Sequence, residues 1–68
     1  MKLQCKMVGC SNEQSIGIKY LTHINILEID RNGFWFNDLR SSTIRTIEFK
    51  VDLVIITTLN TTYTFVIV

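Results

Sequence analysis

The stretch that decides the fold is the last sixteen residues, Leu53 to Val68, which read LVIITTLNTTYTFVIV and carry no charged side chain. Most of these residue types are β-branched or aromatic and favour an extended backbone. Left bare, such a segment would template strand-to-strand aggregation. We therefore expect the fold to cover it, either with the rest of this chain or with a second copy.

This tail predicts a β-hairpin with a loop centred on Asn60-Thr61. One face of the hairpin would hold three cross-strand pairs: Thr58 with Tyr63, Ile56 with Phe65, and Val54 with Ile67. The other face is also apolar away from the turn, through Leu53, Ile55, Val66 and Val68. A soluble antiparallel sheet normally buries one face and exposes the other to solvent. We assign the first face to the core and predict the second to be an oligomer interface.

Length and composition favour a single all-β domain over residues 1–68. A chain of 68 residues makes one small core, which rarely supplies more than ~3–5 kcal/mol without help. The hydrophobic fraction of 47% makes oligomerisation the expected help. The chain has no alanine or proline but ten isoleucines and eight threonines, residue types that favour the pleat. We predict an antiparallel meander of about six strands, curled into a partly open barrel.

Turn signals, of which Gly9-Cys10-Ser11-Asn12 is the first, divide the chain into segments. The candidate strands are 2–8, 15–22, 23–31, 34–37, 44–51, 53–59 and 62–68. The second and third are expected to form one long bent strand. Ile24 and Ile26 share the parity of the residues before them, whereas Leu27 and Ile29 have the opposite parity. Such a phase change is typical of a β-bulge, which would bend this strand.

Asn32-Gly33 predicts a two-residue hairpin turn, because both central residues of a type I′ turn need positive φ. That turn would place Asp30 opposite Trp35 and Ile29 opposite Phe36. Phe34 and Phe36 would then face the core, and Trp35 would lie on the other face.

Residues 37–42 read as a connection that could include one helical turn, capped by Asp38 or Ser41. The spacing of Ile44 and Ile47 does not suit a regular strand. It predicts a bulge or a short 3₁₀ turn at Arg45-Thr46.

The charge balance and the N-terminal pattern exclude several kinds of partner. A net charge of +1 gives no strong attraction to a polyanion or an anionic membrane. No window reaches the ~18 apolar residues of a transmembrane helix. The first ten residues alternate charged and apolar types and lack a signal-peptide core of about 7–15 apolar residues. We expect a cytoplasmic protein without a membrane partner.

The candidates for chemistry are few. Cys5, Cys10 and His23 have no spacing that selects a nucleophile and its base, and they are too few for a zinc site within one chain. We expect reduced cysteines and a solvated His23. The sequence therefore predicts no enzyme, no metal and no cofactor.

Trp35 indicates two kinds of binding function. In the first, Trp35 is the anchor of a protein–protein interaction, with a rim formed by Asp30, Arg31 and Asn37. The partner would be a second copy or a host protein. The absence of alanine and proline, which have GC-rich codons, suits an accessory or inhibitory protein of a phage or mobile element.

The alternative is a small barrel that binds single-stranded nucleic acid. Bases would stack on Trp35, with Arg31, Arg40 and Arg45 nearby. Balanced charge counts against it, because phosphate contacts normally dominate affinity. A purely structural interpretation also stays open, in which Trp35 covers the end of the barrel and the last strand closes the sheet against residues 2–8.

Overall fold

A computed structural model describes residues 1–11 and 16–68, and of residues 16 and 17 only the backbone. Within these ranges the chain forms one antiparallel sheet of seven strands and a short 3₁₀ helix, Ile16–Tyr20. The strands are β1 (Lys2–Cys10), β2 (Ile24–Asp30), β3 (Gly33–Phe36), β4 (Leu39–Arg40), β5 (Ile44–Lys50), β6 (Leu53–Thr58) and β7 (Thr62–Ile67). The all-β prediction is confirmed.

The N-terminal strand lies in the middle of the sheet, whose order is β4-β3-β2-β1-β7-β6-β5. Strands β1 to β4 form one meander and β5 to β7 another. The antiparallel pairing of β1 with β7 joins them, with Cys5 opposite Ile67 and Met7 opposite Phe65. One edge of the uncharged C-terminal hairpin is therefore paired with the N-terminal strand of the same chain.

A short connection forces the sheet to curl. Strands β4 and β5 lie at opposite ends of the strand order, yet only residues 41–43 separate them in sequence. Four extended peptide steps from Arg40 to Ile44 span at most about 14 Å. The two ends of the sheet must therefore approach each other. No ladder joins β4 to β5 in the described part of the chain, so the barrel stays open.

Aromatic rings fill the inside of the curled sheet. The Phe34 ring on β3 meets Tyr63 and Phe65 on β7 edge to face, with centroids 4.9 and 5.4 Å apart. These strands are not neighbours in the sheet, so the contacts cross its concave side. The buried core comprises Cys5, Met7, Tyr20, Leu27, Ile29, Phe34, Phe36, Leu39, Val54, Ile56, Tyr63 and Phe65.

The predicted long bent second strand is wrong. Ile16–Tyr20 is a 3₁₀ helix, and a turn with Thr22 at a φ of 70° precedes β2. The Thr22 N–H donates to the Met7 carbonyl at 2.7 Å, which fixes this turn against β1. The phase change is not a bulge, because Ile24 and Ile26 face outward and are 54% and 47% exposed.

Asn12 of the first predicted turn and Ser15, the first residue of the predicted second strand, lie outside the described residues. Gly9 and Cys10, which were assigned to the same turn, continue β1.

Both hairpins form with the predicted faces but with a register shifted by two residues. In the first, Asp30 pairs with Gly33 and Ile29 with Phe34, so the turn is Arg31-Asn32. The Asp30 carboxylate accepts the Asn32 N–H at 2.8 Å and stabilises this turn. A shift of two keeps each side chain on its face. Phe34 is accordingly buried, as predicted.

In the second hairpin the loop is Leu59-Asn60 rather than Asn60-Thr61. Buried Thr58 closes it, because its hydroxyl donates to the Thr61 carbonyl at 3.0 Å and accepts the Thr61 N–H at 3.3 Å. Val54 and Ile56 consequently pair with Phe65 and Tyr63, and the predicted core face is confirmed.

Residues 37–42 contain no helical turn. Asn37, at a φ of 59°, and Asp38 form the turn into the short strand β4. The irregularity predicted at Arg45-Thr46 is confirmed, since the β5–β6 register shifts between Ile44 and Thr46.

Candidate interaction surfaces

Trp35 lies on the outer face of β3 and is 44% exposed. The two-residue turn after β3 places Arg40 of β4 directly opposite it. The guanidinium carbon of Arg40 lies 5.2 Å from the centroid of the indole ring, in a cation–π contact. The aromatic side chain is therefore held in place at the surface by its neighbour.

Asp30 fixes the arginine in turn. Its carboxylate accepts two hydrogen bonds from the Arg40 guanidinium, at 3.0 and 3.3 Å. These bonds, followed by the Asn32 N–H, hold the pKa of Asp30 below its ordinary value. We call Asp30, Trp35 and Arg40 the Trp35 cluster. Its three side chains come from three adjacent strands and form a continuous chain of contacts.

Two predicted members of the site lie apart from the cluster. Arg31 is exposed in the β2–β3 turn and forms no ion pair with a described residue. Asn37 accepts a hydrogen bond from the Asn25 amide, and its own amide lies 3.4 Å from Nδ1 of exposed His23. The arginine that contacts Trp35 is thus Arg40.

The position of Arg40 beside Trp35 could have been predicted from the Asn37-Asp38 pair. Asparagine tolerates positive φ and favours tight turns. A two-residue turn there places Arg40 opposite Trp35 by simple counting.

Acidic and basic side chains balance around the indole. Glu28 lies opposite Trp35 in the β2–β3 register, and Lys2 lies opposite Glu28 on β1. The positive charge of Arg40 is already paired with Asp30. This surface therefore offers no unpaired arginine beside the ring.

The second predicted surface is the outer face of β6 and β7, formed by Leu53, Ile55, Val66 and Val68, which we call the outer tail face. The first three are half-buried and Val68 is 56% exposed. Val66 is opposite Lys6 on β1, and Lys6 is opposite Ile24 on β2. On the central strand, Lys6 and Gln4 therefore separate the outer tail face from the exposed isoleucines of β2, Ile24 and Ile26.

A polar contact ties the 3₁₀ helix to the β3–β4 turn. The Tyr20 hydroxyl donates to the Asp38 carboxylate, which lowers the pKa of Asp38 and raises that of Tyr20. His23 packs its ring against Tyr20 edge to face at 5.6 Å. The contact is structural, because it joins two surface segments over the edge of the core.

Both cysteines are reduced thiols. Cys5 is fully buried, which raises the pKa of its thiol. Over residues 1–11 and 16–68, no three histidine, cysteine or acidic side chains come close enough to bind a metal ion. The same residues contain no helix with the length and apolar character needed to span a membrane.

Comparisons of the chain with protein-family models, with curated proteins and with solved structures found no match.

Proposed function

We propose that this protein is a non-enzymatic domain that binds another protein through the Trp35 cluster. The observation that carries the proposal is a large aromatic ring, 44% exposed, whose position is fixed by Arg40 and Asp30. Tryptophan and arginine are enriched among residues that dominate binding energy at interfaces. A ring that is already ordered in the free protein also loses less side-chain freedom on binding.

The arrangement favours a protein partner over single-stranded nucleic acid. Of the three consecutive aromatics, Phe34 and Phe36 are fully buried, so only Trp35 can stack with a base. The charge of Arg40 is paired with Asp30, and Glu28 lies opposite the indole. This surface therefore carries no excess positive charge, whereas nucleic-acid sites are normally basic.

The proposed setting is cytoplasmic, with an accessory or inhibitory protein of a phage or mobile element acting on a host protein. The composition, without alanine or proline, supports this setting.

Affinity capture from a host cytosolic extract tests the proposal, with Trp35→Ala and Arg40→Ala as bait variants. Truncating an interface hot spot costs about 2 kcal/mol or more, which is roughly a 30-fold loss of affinity. We expect both variants to lose the proteins that the wild-type chain captures. Leu59→Ala is the matched control, since Leu59 is 60% exposed in the β6–β7 loop, and Arg31→Ala should also retain capture.

Equal recovery by Trp35→Ala and the wild-type chain would refute the proposal. A titration with single-stranded oligonucleotides, followed by Trp35 fluorescence, addresses the alternative. Salt-sensitive quenching that disappears in Arg40→Ala would favour the nucleic-acid function instead.

The outer tail face supports self-association as a second proposal. It groups half-buried Leu53, Ile55 and Val66 with exposed Val68, and none of the four carries a charge. Sedimentation of Val68→Asp should show weaker self-association than the wild-type chain, while Leu59→Asp should not. Identical behaviour of Val68→Asp and the wild-type chain would contradict an interface at this face.

A further inference from the structure

Among the residues that the structure describes, strand β5 has no partner strand along one long edge of the sheet. It lies at one end of the strand order, and among the described strands it pairs only with β6. It has seven residues, whereas β4 at the opposite end has two. The unpaired N–H and C=O groups of such an edge form a template for another strand.

The register identifies the residues whose backbone faces this edge. The Thr58 N–H donates to the Thr61 carbonyl, so Thr58 directs its backbone groups at β7. The direction of the backbone N–H and C=O groups alternates from residue to residue in an antiparallel ladder. Ile55 therefore directs these groups at β5 and forms hydrogen bonds with Glu48 opposite it. By the same alternation, Ile47 and Phe49 direct their N–H and C=O groups to the open edge.

The side chains along the edge are apolar on one face and charged on the other. Phe49 lies opposite buried Val54, on the core side, but is 51% exposed because no strand lies beyond it. Glu48 and Lys50 lie on the outer face, where Lys50 Nζ is 3.7 Å from Glu48 Oε2. Their side chains are 61% and 58% exposed, so both are free to reach a neighbouring chain.

We propose that two copies of the chain pair edge to edge through β5, antiparallel, about a two-fold axis at Phe49. This register sets Phe49 against Phe49 of the second copy. By symmetry it sets Glu48 against Lys50 of the other copy twice. Opposite charges at directly opposed positions stabilise a sheet, and the flanking non-hydrogen-bonded pairs bring Cα atoms within about 4.5 Å.

Charge and geometry select this register over its neighbours. A two-fold axis at Glu48 would oppose two glutamates, which destabilises the pair. An axis at Ile47 would place Glu48 opposite Thr46, without an ion pair, and would extend the pairing across the irregularity between Ile44 and Thr46. The interface differs from the Trp35 cluster and from the outer tail face, so each can fail separately.

Charge reversal tests the pairing by sedimentation equilibrium over micromolar to millimolar protein. Glu48→Lys or Lys50→Glu turns two attractive pairs into two repulsive ones. We expect the dimer dissociation constant to rise on the order of tenfold. The double variant Glu48→Lys/Lys50→Glu restores opposite charges and should return it to near the wild-type value. A monomeric wild-type chain, unaffected single variants or an unrescued double variant would each overturn the proposal.

A cross-link tests the position of the axis. In a hydrogen-bonded antiparallel pair, opposed Cα atoms lie about 5.5 Å apart, within the range for a disulfide. Phe49→Cys should therefore form a covalent dimer on mild oxidation, well above the background from Cys10 in the wild-type chain. Leu59→Cys, at a position that is 60% exposed in the β6–β7 loop against 51% for Phe49, should stay at background. Equal cross-linking of the two variants would exclude this register.

Discussion

Replacing Gly33 with alanine should destabilise the fold, because the connection between β4 and β5 passes directly over this residue. An added Cβ would lie 2.9 Å from Ser41 Oγ, 3.1 Å from the Ser41 carbonyl oxygen and 3.2 Å from the Ser42 carbonyl oxygen. The Ser41 N–H donates to the Phe34 carbonyl, and Ser41 Oγ accepts the Phe34 N–H, both at 2.9 Å. The backbone oxygens therefore cannot retreat without breaking buried hydrogen bonds.

The magnitude follows from two opposing effects. Overpacking a well-packed site costs about 1–3 kcal/mol. The lower conformational entropy of the unfolded Gly33→Ala variant offsets about 0.4–1 kcal/mol of that cost. We expect a net loss of about 1–2 kcal/mol in the free energy of unfolding. For a domain whose core supplies ~3–5 kcal/mol, that loss moves the urea midpoint clearly downward.

Urea titration followed by far-UV circular dichroism measures this loss, with Gly9→Ala as the matched control. A Cβ at Gly9 would meet only the Thr64 side chain, at 3.3 and 3.4 Å. Contacts at these distances require a shift of only a few tenths of an ångström, so we expect a change within about 0.5 kcal/mol. A wild-type urea midpoint for Gly33→Ala would refute the close contact between Gly33 and the β4–β5 connection. An equal loss of unfolding free energy in Gly9→Ala would also refute it.

Three further substitutions test individual contacts. Tyr20→Phe removes the hydrogen bond that lowers the pKa of Asp38 from 3.8, so the stability it contributes is present above that pH and lost as the pH falls below it. The urea midpoints of variant and wild type should accordingly differ at pH 6 and approach each other as the pH falls below 3.8; a constant difference would contradict this. Thr58→Val leaves the buried Thr61 N–H without its hydroxyl acceptor and should cost about 1–3 kcal/mol, again by urea titration. Phe65→Ala removes a fully buried ring, and its cost of about 3–5 kcal/mol should leave the chain unfolded by circular dichroism.

Alternation of side chains explains why the faces of the sheet could be predicted from the sequence. Val54, Ile56 and Phe65 are buried as expected, because a period of two leaves one choice of inner face once the core is assigned. The strand registers were harder to predict, because a shift of two residues leaves the same pattern of alternating side chains. They depend on individual turn contacts, such as the Asp30 carboxylate with the Asn32 N–H.

Tertiary contacts explain the remaining differences. The segment from Ile16 to Tyr20 has strand-forming residues, yet it is a 3₁₀ helix followed by a turn that hydrogen-bonds the Met7 carbonyl. The outward position of Trp35 and the proximity of Asp30 could be predicted from alternation. The contact with Arg40 gives no periodic signal, because β4 has two residues, so it could be predicted from the Asn37-Asp38 turn alone.

The measurement that tests the central claim most directly is the set of interstrand nuclear Overhauser effects in the isotope-labelled chain. The claim is that the neutral tail is covered by the N-terminal strand within a curled sheet. We expect backbone effects between Met7 and Phe65, and ring effects from Phe34 to Tyr63 and Phe65, within one molecule. Their absence, or their appearance only between differently labelled molecules, would contradict the account.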